Sequence, residues 1–332
     1  MPITLLQGDD LPCNIFSSLG EYGLPILEYL TYKDGNALRA TCKEARKAVE
    51  EHKWMDSKTH IKGSLQKWRI CFRNAKAVNI SGRKDLKDDD FVHLKGIHTL
   101  NMSFCKEIYD EHLYHLKGIH TLDMRECSNI TAKGYVHLRG IHTLIMHHGN
   151  NITDDAFAHL EGIHTLDMHL CFRNTSLIRS KITDKAFVHL KGIHTLNMLW
   201  CDKITDKAFV HLKGIHTLNM GGCKRITDAA LVHLKGIHTL HMQECENITG
   251  TGFVHLNGIH TLDVGRHYTR PKSVYRDPYI NYFEFIGMKV LGYGFPNNHP
   301  YHEMDLRRRL KGVEVEITRF VFIWRTSDYI MI

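Results

Sequence analysis

The sequence predicts an α/β solenoid: stacked rungs with a parallel sheet inside and short helices outside, preceded by a small helical module. Two observations predict this. The tetrapeptide Ile-His-Thr-Leu begins at Ile97, Ile119, Ile141, Ile163, Ile193, Ile215, Ile237 and Ile259, at steps of 22 residues with one step of 30. Each copy also changes hydrophobic period halfway along. A worn copy, Ala75 to Ile80, lies one step before Ile97, making nine rungs over residues 75–265. Self-similarity at this spacing marks a repeat architecture, in which no unit buries its apolar face alone.

Residues 1–60 read as short amphipathic helices ahead of the rungs. They carry Leu11-Pro12, Ile15-Phe16, Leu27, Tyr29-Leu30, Asp34, then Leu38-Arg39-x-x-Cys42-Lys43-x-x-Arg46-x-x-Val49, and Trp54. This pattern resembles an F-box and departs from it between Leu19 and Leu27, where Gly20 to Pro25 adds residues. The resemblance implies docking on a Skp-type adaptor, and through it a cullin, by way of Leu11, Pro12, Ile15, Phe16, Leu27, Leu30 and Leu38. The alternative is a helical cap shielding the open end of the solenoid, which repeat proteins need in any case. Residues 61–74 read as a linker or cap.

One clear rung runs from Ile193 to Gly214. Thr195, Asn197 and Leu199 alternate with Leu196 and Met198, the period of a short strand. Beyond Cys201 and Ile204 the period lengthens: Ala208, Phe209 and Leu212 share one helical face. Thr205 or Asp206 can cap its start and Gly214 can end it. The frame I-x-x-L-x-M-x-x-C-x-x-I-T-D resembles the cysteine-containing class of leucine-rich repeats, with Met for the second strand Leu and a shorter unit. That resemblance implies a horseshoe binding proteins on its concave face. The 30-residue step places eight extra residues between Cys171 and Ile182, so residues 172–180 should loop out.

Rungs differ most at outward positions near the strand end. The first is mostly Asn or Asp, a polar strip. The next two are diverse and supply the candidate substrate-binding residues: Phe104, Arg125, Glu126, His147, His148, His169, Leu170, Leu199, Trp200, Gln243 and Glu244. Trp200 is the candidate anchor, since aromatic side chains dominate binding hot spots. The following rung has Gly221 and Gly222 at the same positions, leaving room beside the indole. Lys95, Lys117, Arg139, Lys191, Lys213 and Lys235 share one rung position, broken by Glu161 and Asn257. This basic stripe reads as a solvated rim or as a docking edge for an acidic partner.

Sixteen of the 26 histidines belong to the repeat, in two series beginning at His93 and His98. Stacking should turn them into two ladders with a spacing of about 5 Å. Six cysteines (Cys105, Cys127, Cys171, Cys201, Cys223 and Cys245) share an inward position, where small apolar packing is expected. Duplication explains both sets. No tight Cys-x-x-Cys or His-x-x-x-His cluster occurs, so neither metal nor other cofactor is expected.

Residues 266–332 lose the rhythm. Pro271, Pro278, Pro296 and Pro300 interrupt them, and Leu310 to Ile317 echoes a rung. A degenerate cap over the last strand's edge is expected.

The chain has 332 residues, 43% hydrophobic and 24% charged, enough apolar material for a large core. No stretch approaches the roughly 18 apolar residues of a membrane span, and no membrane contact is expected. The net charge of +7 permits nucleic-acid contact without demanding it, and none is expected. The N-terminus lacks a basic and an apolar signal region. Nine cysteines then suit a reducing compartment, cytoplasm or nucleus. Near-identical arrays behind F-boxes also resemble proteins of large DNA viruses, in which case the compartment is the host's. No Gly-rich phosphate loop, nucleophile elbow or isolated acid pair is present, so no enzyme is expected. The expected function is a substrate-recruiting F-box subunit of a cullin–RING ubiquitin ligase holding an unknown protein substrate. The alternative is a repeat scaffold for protein–protein interaction with no ligase link.

Overall fold

The computed structural model describes residues 27–147, 152–169, 182–264 and 289–291. The chain forms two compact units, Met1–Ile145 and Met146–Ile332. In the first, helices α1 (Tyr32–Leu38), α2 (Lys43–Glu51) and α3 (Leu65–Cys71) precede strands β1 (Ala77–Asn79), β2 (Thr99–Asn101), β3 (Thr121–Asp123) and β4 (Thr143–Ile145). In the second are β5 (Thr165–Asp167), β6 (Thr195–Asn197), β7 (Thr217–Asn219), β8 (Thr239–His241), β9 (Thr261–Asp263) and β10 (Lys289–Leu291). Within each unit consecutive strands pair in parallel, and the register follows the repeat: Leu100 faces Leu122, and Leu196 faces Leu218. The far edge of β9 is paired by β10. The rest of 266–332, including the echo at 310–317, lies outside the described residues, as does the insertion 172–180.

The alternation is borne out rung by rung. Leu196, Met198, Cys201, Ile204, Ala208, Phe209 and Leu212 are all buried. The outer segments, however, are 3₁₀ helices such as Asp206–His211, not α-helices. A 22-residue rung has few residues to spare, and a 3₁₀ helix rises about 2.0 Å per residue against about 1.5 Å for an α-helix. It therefore spans the same distance with less chain. Gly214, at φ +81°, closes the helical half with a backbone that other residues rarely adopt.

The Ile-Thr-Asp motif links one rung to the next. Thr205 caps its own 3₁₀ helix, accepting from the Lys207 N–H. Its N–H and hydroxyl also donate to the two oxygens of Asp184 in the preceding rung, at 2.8 and 2.6 Å. Thr227 does the same to Asp206, and in the first unit Thr131 does so to Asp110. Asp206→Asn should therefore cost about 1–1.5 kcal/mol, because an amide offers one acceptor where two donors converge. Chemical denaturation checks this; an unchanged midpoint would show that the clasp contributes nothing. The buried thiols add a further tie, as when Cys223 Sγ donates to the Met198 carbonyl of the previous rung at 3.2 Å.

Residues 61–74, expected as a linker or cap, hold a structured cap. Leu65 and Trp68 of α3 are buried. The Arg69 guanidinium donates to the carbonyls of His93 and Lys95, both at 2.8 Å, and so grips the end of the first 3₁₀ helix. Tyr32, Trp54, Trp68 and Phe72 form one aromatic core. The Trp54 carbonyl accepts from Lys76 and Ala77 at the start of β1, and the Tyr32 hydroxyl donates to the Ala77 carbonyl. The helices and the first rung thus share a core, and the sequence boundaries at 60 and 74 do not separate independent packing.

Candidate binding face of the repeats

The open face carries the residues that flank the buried Met between the buried Leu and the buried Cys of a rung. The polar strip turns out to shape the backbone. Asn79, Asn101, Asn197 and Asn219 each accept, through the side-chain oxygen, the N–H two residues on, at 3.0–3.2 Å. Asp123 and Asp167 do likewise. Such Asx turns end the strand and start a tight bend.

The bend changes the reading of the anchor position. The strand ends at Asn197, so Trp200 is a turn residue rather than a strand residue. Its φ is +63°, and Phe104, Glu126 and Glu244 are also left-handed, at 61°, 58° and 58°. Glycine occupies the equivalent place in two rungs, Gly82 and Gly222, both at φ +68°. Those two glycines were the sequence signal for this turn. A left-handed backbone costs an L-residue about 1–2 kcal/mol, and at Trp200 it directs the side chain onto the next rung. A Cβ placed on Gly222 would sit 2.5–2.9 Å from the indole, and one on Gly221 would sit 2.7 Å from Leu199. Both glycines thus make the bed on which Leu199 and Trp200 lie. Trp200 keeps 37% of its surface exposed.

The other candidates fall in varied surroundings. Phe104 is exposed in the first unit. Arg125 is committed to Asp123 through a bidentate contact, with Nη2 at 2.5 Å from the carboxylate. Glu126 and Glu244 are half-buried. Gln243 donates to Asp263, which also receives His241 at 3.4 Å. His147, Asp167 and His169 come together, although Asp167 was not a sequence candidate. His169 Nδ1 lies 2.6 Å and His147 Nε2 3.9 Å from the Asp167 carboxylate. Their 22-residue spacing at one rung position was the available signal. His148 and Leu170 lie outside the described residues. The rim residues Lys95, Lys117, Arg139, Lys191, Lys213 and Lys235 are all exposed.

Of the adaptor candidates, Leu27 is buried, so in this packing it belongs to the core rather than to a docking face. Leu30 and Leu38 are half-buried. Leu11, Pro12, Ile15 and Phe16 lie outside the described residues.

The series beginning at His98 forms true stacks. His98, His120 and His142 lie 4.3–4.4 Å apart in the first unit. His164, His194, His216, His238 and His260 lie 4.5 Å apart in the second. The series beginning at His93 is put to other uses: His189 meets Glu161 at 2.8 Å and His137 meets the edge of Tyr114. Lost hydration first, and neighbouring imidazoles second, hold His120, His194 and His238 below the ordinary value of 6.5. The unfolded chain protonates these rings more readily than the folded one. Stability should therefore fall as pH drops through about 6.5 and be insensitive to these rings above it. Melting scans between pH 8 and 5 should show this fall, and replacing His120, His194 and His238 with Asn should flatten it. An equally steep profile in the variant would rule the stacks out as the cause. Burial raises the thiols of Cys105, Cys127, Cys223 and Cys245, the last to about 12, which makes them poor nucleophiles or ligands.

No protein-family model matches the chain, and no curated protein matches it. Among solved structures it is similar to a chain of the TLR13–ssRNA13 complex, with a TM-score of 0.50 and 14% identity over 76% of this chain and 44% of that one. It is also similar to a chain of the yeast Rad7–Elc1 complex, with a TM-score of 0.45 and 14% identity over 69% of this chain and 70% of that one. A chain of the Drosophila Toll–Spatzle complex follows, with a TM-score of 0.39 and 12% identity over 79% of this chain and 42% of that one. The chain thus spans less than half the length of the TLR13 and Toll–Spatzle chains. At 14% identity the likeness to the TLR13 chain bears on fold alone, and together with the parallel rungs it makes the fold a leucine-rich-repeat solenoid.

Proposed function

We propose that the chain is a binding protein rather than an enzyme: a substrate-recruiting F-box subunit of a cullin–RING ubiquitin ligase, acting in cytoplasm or nucleus. The observation that carries the binding half is the Leu199–Trp200 pair, an apolar anchor held on a glycine bed and left accessible. Aromatic anchors of this kind, ringed by polar groups, supply most of the energy in protein interfaces. The ligase half rests on the F-box-like residues ahead of the rungs, with Leu11, Pro12, Ile15 and Phe16 as the adaptor contacts.

A pull-down with a Skp-type adaptor tests the ligase half. The full chain should retain the adaptor, and replacing Leu11 and Pro12 together with Asp and Ala should release it without lowering the melting temperature. Removing residues 1–60 is the wrong variant, because Tyr32 and Trp54 belong to the core of the first rung. If the intact chain retains no adaptor, the scaffold reading replaces the ligase reading, and the binding face is unaffected by that outcome.

A further inference from the structure

We propose that His147, Asp167 and His169 form a binding site for one divalent transition-metal ion, with Zn2+ the best-suited ion. The argument begins with what the repeat does not explain. Sixteen histidines follow from duplication of the frame, but these two do not. Their rung position is Ser81, Ser103, Arg125, Leu199, Gly221, Gln243 and Gly265 elsewhere. The Met146 N–H donates to the Asp167 carbonyl at 2.8 Å, which fixes His147 beside His169 on the open face.

The three side chains converge. Each offers one ligand atom, and all three atoms lie within 4.8 Å of one another. Zinc holds imidazole nitrogen at about 2.0–2.1 Å and carboxylate oxygen at about 2.0–2.2 Å, so its ligand atoms stand somewhat over 3 Å apart. Small rotations about χ1 and χ2 close the remaining gap. The side chains are 11%, 25% and 22% exposed in chain order, partly dry but reachable. The imidazole centroids lie 3.5 Å apart. Neutral imidazole is the ligand form.

The hydrogen bonding around His169 is at odds with itself. Its Nδ1 lies 2.6 Å from Asp167 Oδ1, which requires Nδ1 to donate. The Asn197 amide nitrogen lies 3.3 Å from the same Nδ1, which requires it to accept. Asn197 is held in that orientation because its oxygen receives the Leu199 N–H at 3.2 Å. One nitrogen cannot fill both roles. A cation ligated by Nδ1 and Oδ1 would replace the Asp167 hydrogen bond, with the two atoms moving apart to somewhat over 3 Å, and would take the one lone pair that the Asn197 N–H otherwise uses. Two imidazoles and one carboxylate with open positions is also a donor set that first-row divalent ions take. The stacked histidines and buried thiols argue against metal only at their own positions, and this cluster is separate from both.

The three side chains stay partly exposed, so a donor from a bound partner can complete the shell. That role rests on the proposed function above; the binding of metal does not. Calorimetric titration of the full chain with Zn2+, repeated with Co2+ and read by visible absorption, tests the site alone. Wild type should bind one ion at least tenfold more tightly than Asp167→Asn or His169→Gln. His194→Gln, in the stack, should match wild type. Melting curves show that each variant is folded, and the near-isosteric changes keep the comparison valid if an alanine variant is unstable. Equal affinity in wild type and both site variants would overturn the proposal, as would the same loss in His194→Gln. Metal binding without any effect on partner affinity would leave the site standing and remove only the bridging role.

Discussion

Trp54→Ala should destabilise the chain by about 3–5 kcal/mol, the range for deleting a large aromatic side chain from a packed core. Trp54 is 1% exposed, packs on Tyr32 and Phe72 at centroid distances of 5.7 and 5.2 Å, and donates from Nε1 to the Val49 carbonyl at 2.7 Å. The loss is a large share of the roughly 5–15 kcal/mol that holds a typical domain folded. It also falls at a vulnerable place, because the helical cap meets the first rung through this ring. Residues 27–74 should become protease-sensitive at temperatures where the wild type resists. Gly35→Ala should act in the same direction, since its Cβ would lie 2.6 Å from the Trp54 ring. A melting temperature within about 2 °C of wild type for Trp54→Ala would mean that the cap and the rungs are not coupled through this core.

Trp200→Ala should weaken binding of the protein partner by about thirtyfold or more, corresponding to the roughly 2 kcal/mol that defines a hot spot. Folding should be nearly unaffected, because the indole lies on the open face over Gly222. Trp200→Gly should bind as poorly as the alanine variant and yet melt higher, since glycine adopts the left-handed backbone without strain. Gly222→Ala should cut affinity although the tryptophan itself is retained, because the new methyl must displace the indole from its bed. Titration of each variant against the isolated partner, beside thermal melts, checks all three. Unchanged affinity in Trp200→Ala would move the binding surface elsewhere, with the exposed basic rim the next to test.

What the sequence by itself determined is the rung. Leu196, Met198, Cys201, Ile204, Phe209 and Leu212 could be assigned to the interior because the same positions recur at the same spacing. In a one-dimensional stack a residue's surroundings are mostly its own counterparts one repeat away, so local pattern and tertiary environment coincide. The glycine bed for Trp200 was legible for that reason: Gly221 and Gly222 stand one repeat beyond Leu199 and Trp200.

What only the tertiary structure decided involves contacts that the period does not encode. Thr205 looked like a local cap, and it is also a clasp on Asp184, because the rung closes just where the two helix starts meet. Asn197 reads in the sequence as part of a polar strip, and its side chain instead satisfies the backbone of the bend that turns Trp200 onto its neighbour. The outer helix is 3₁₀ because 22 residues must close a full circuit, a length constraint that side-chain pattern leaves open. Arg69 and Trp54 carry no repeat signal at all. Their roles appear only once the first rung, which has no preceding rung to cover it, buries its apolar face against the aromatic core of the helical segment.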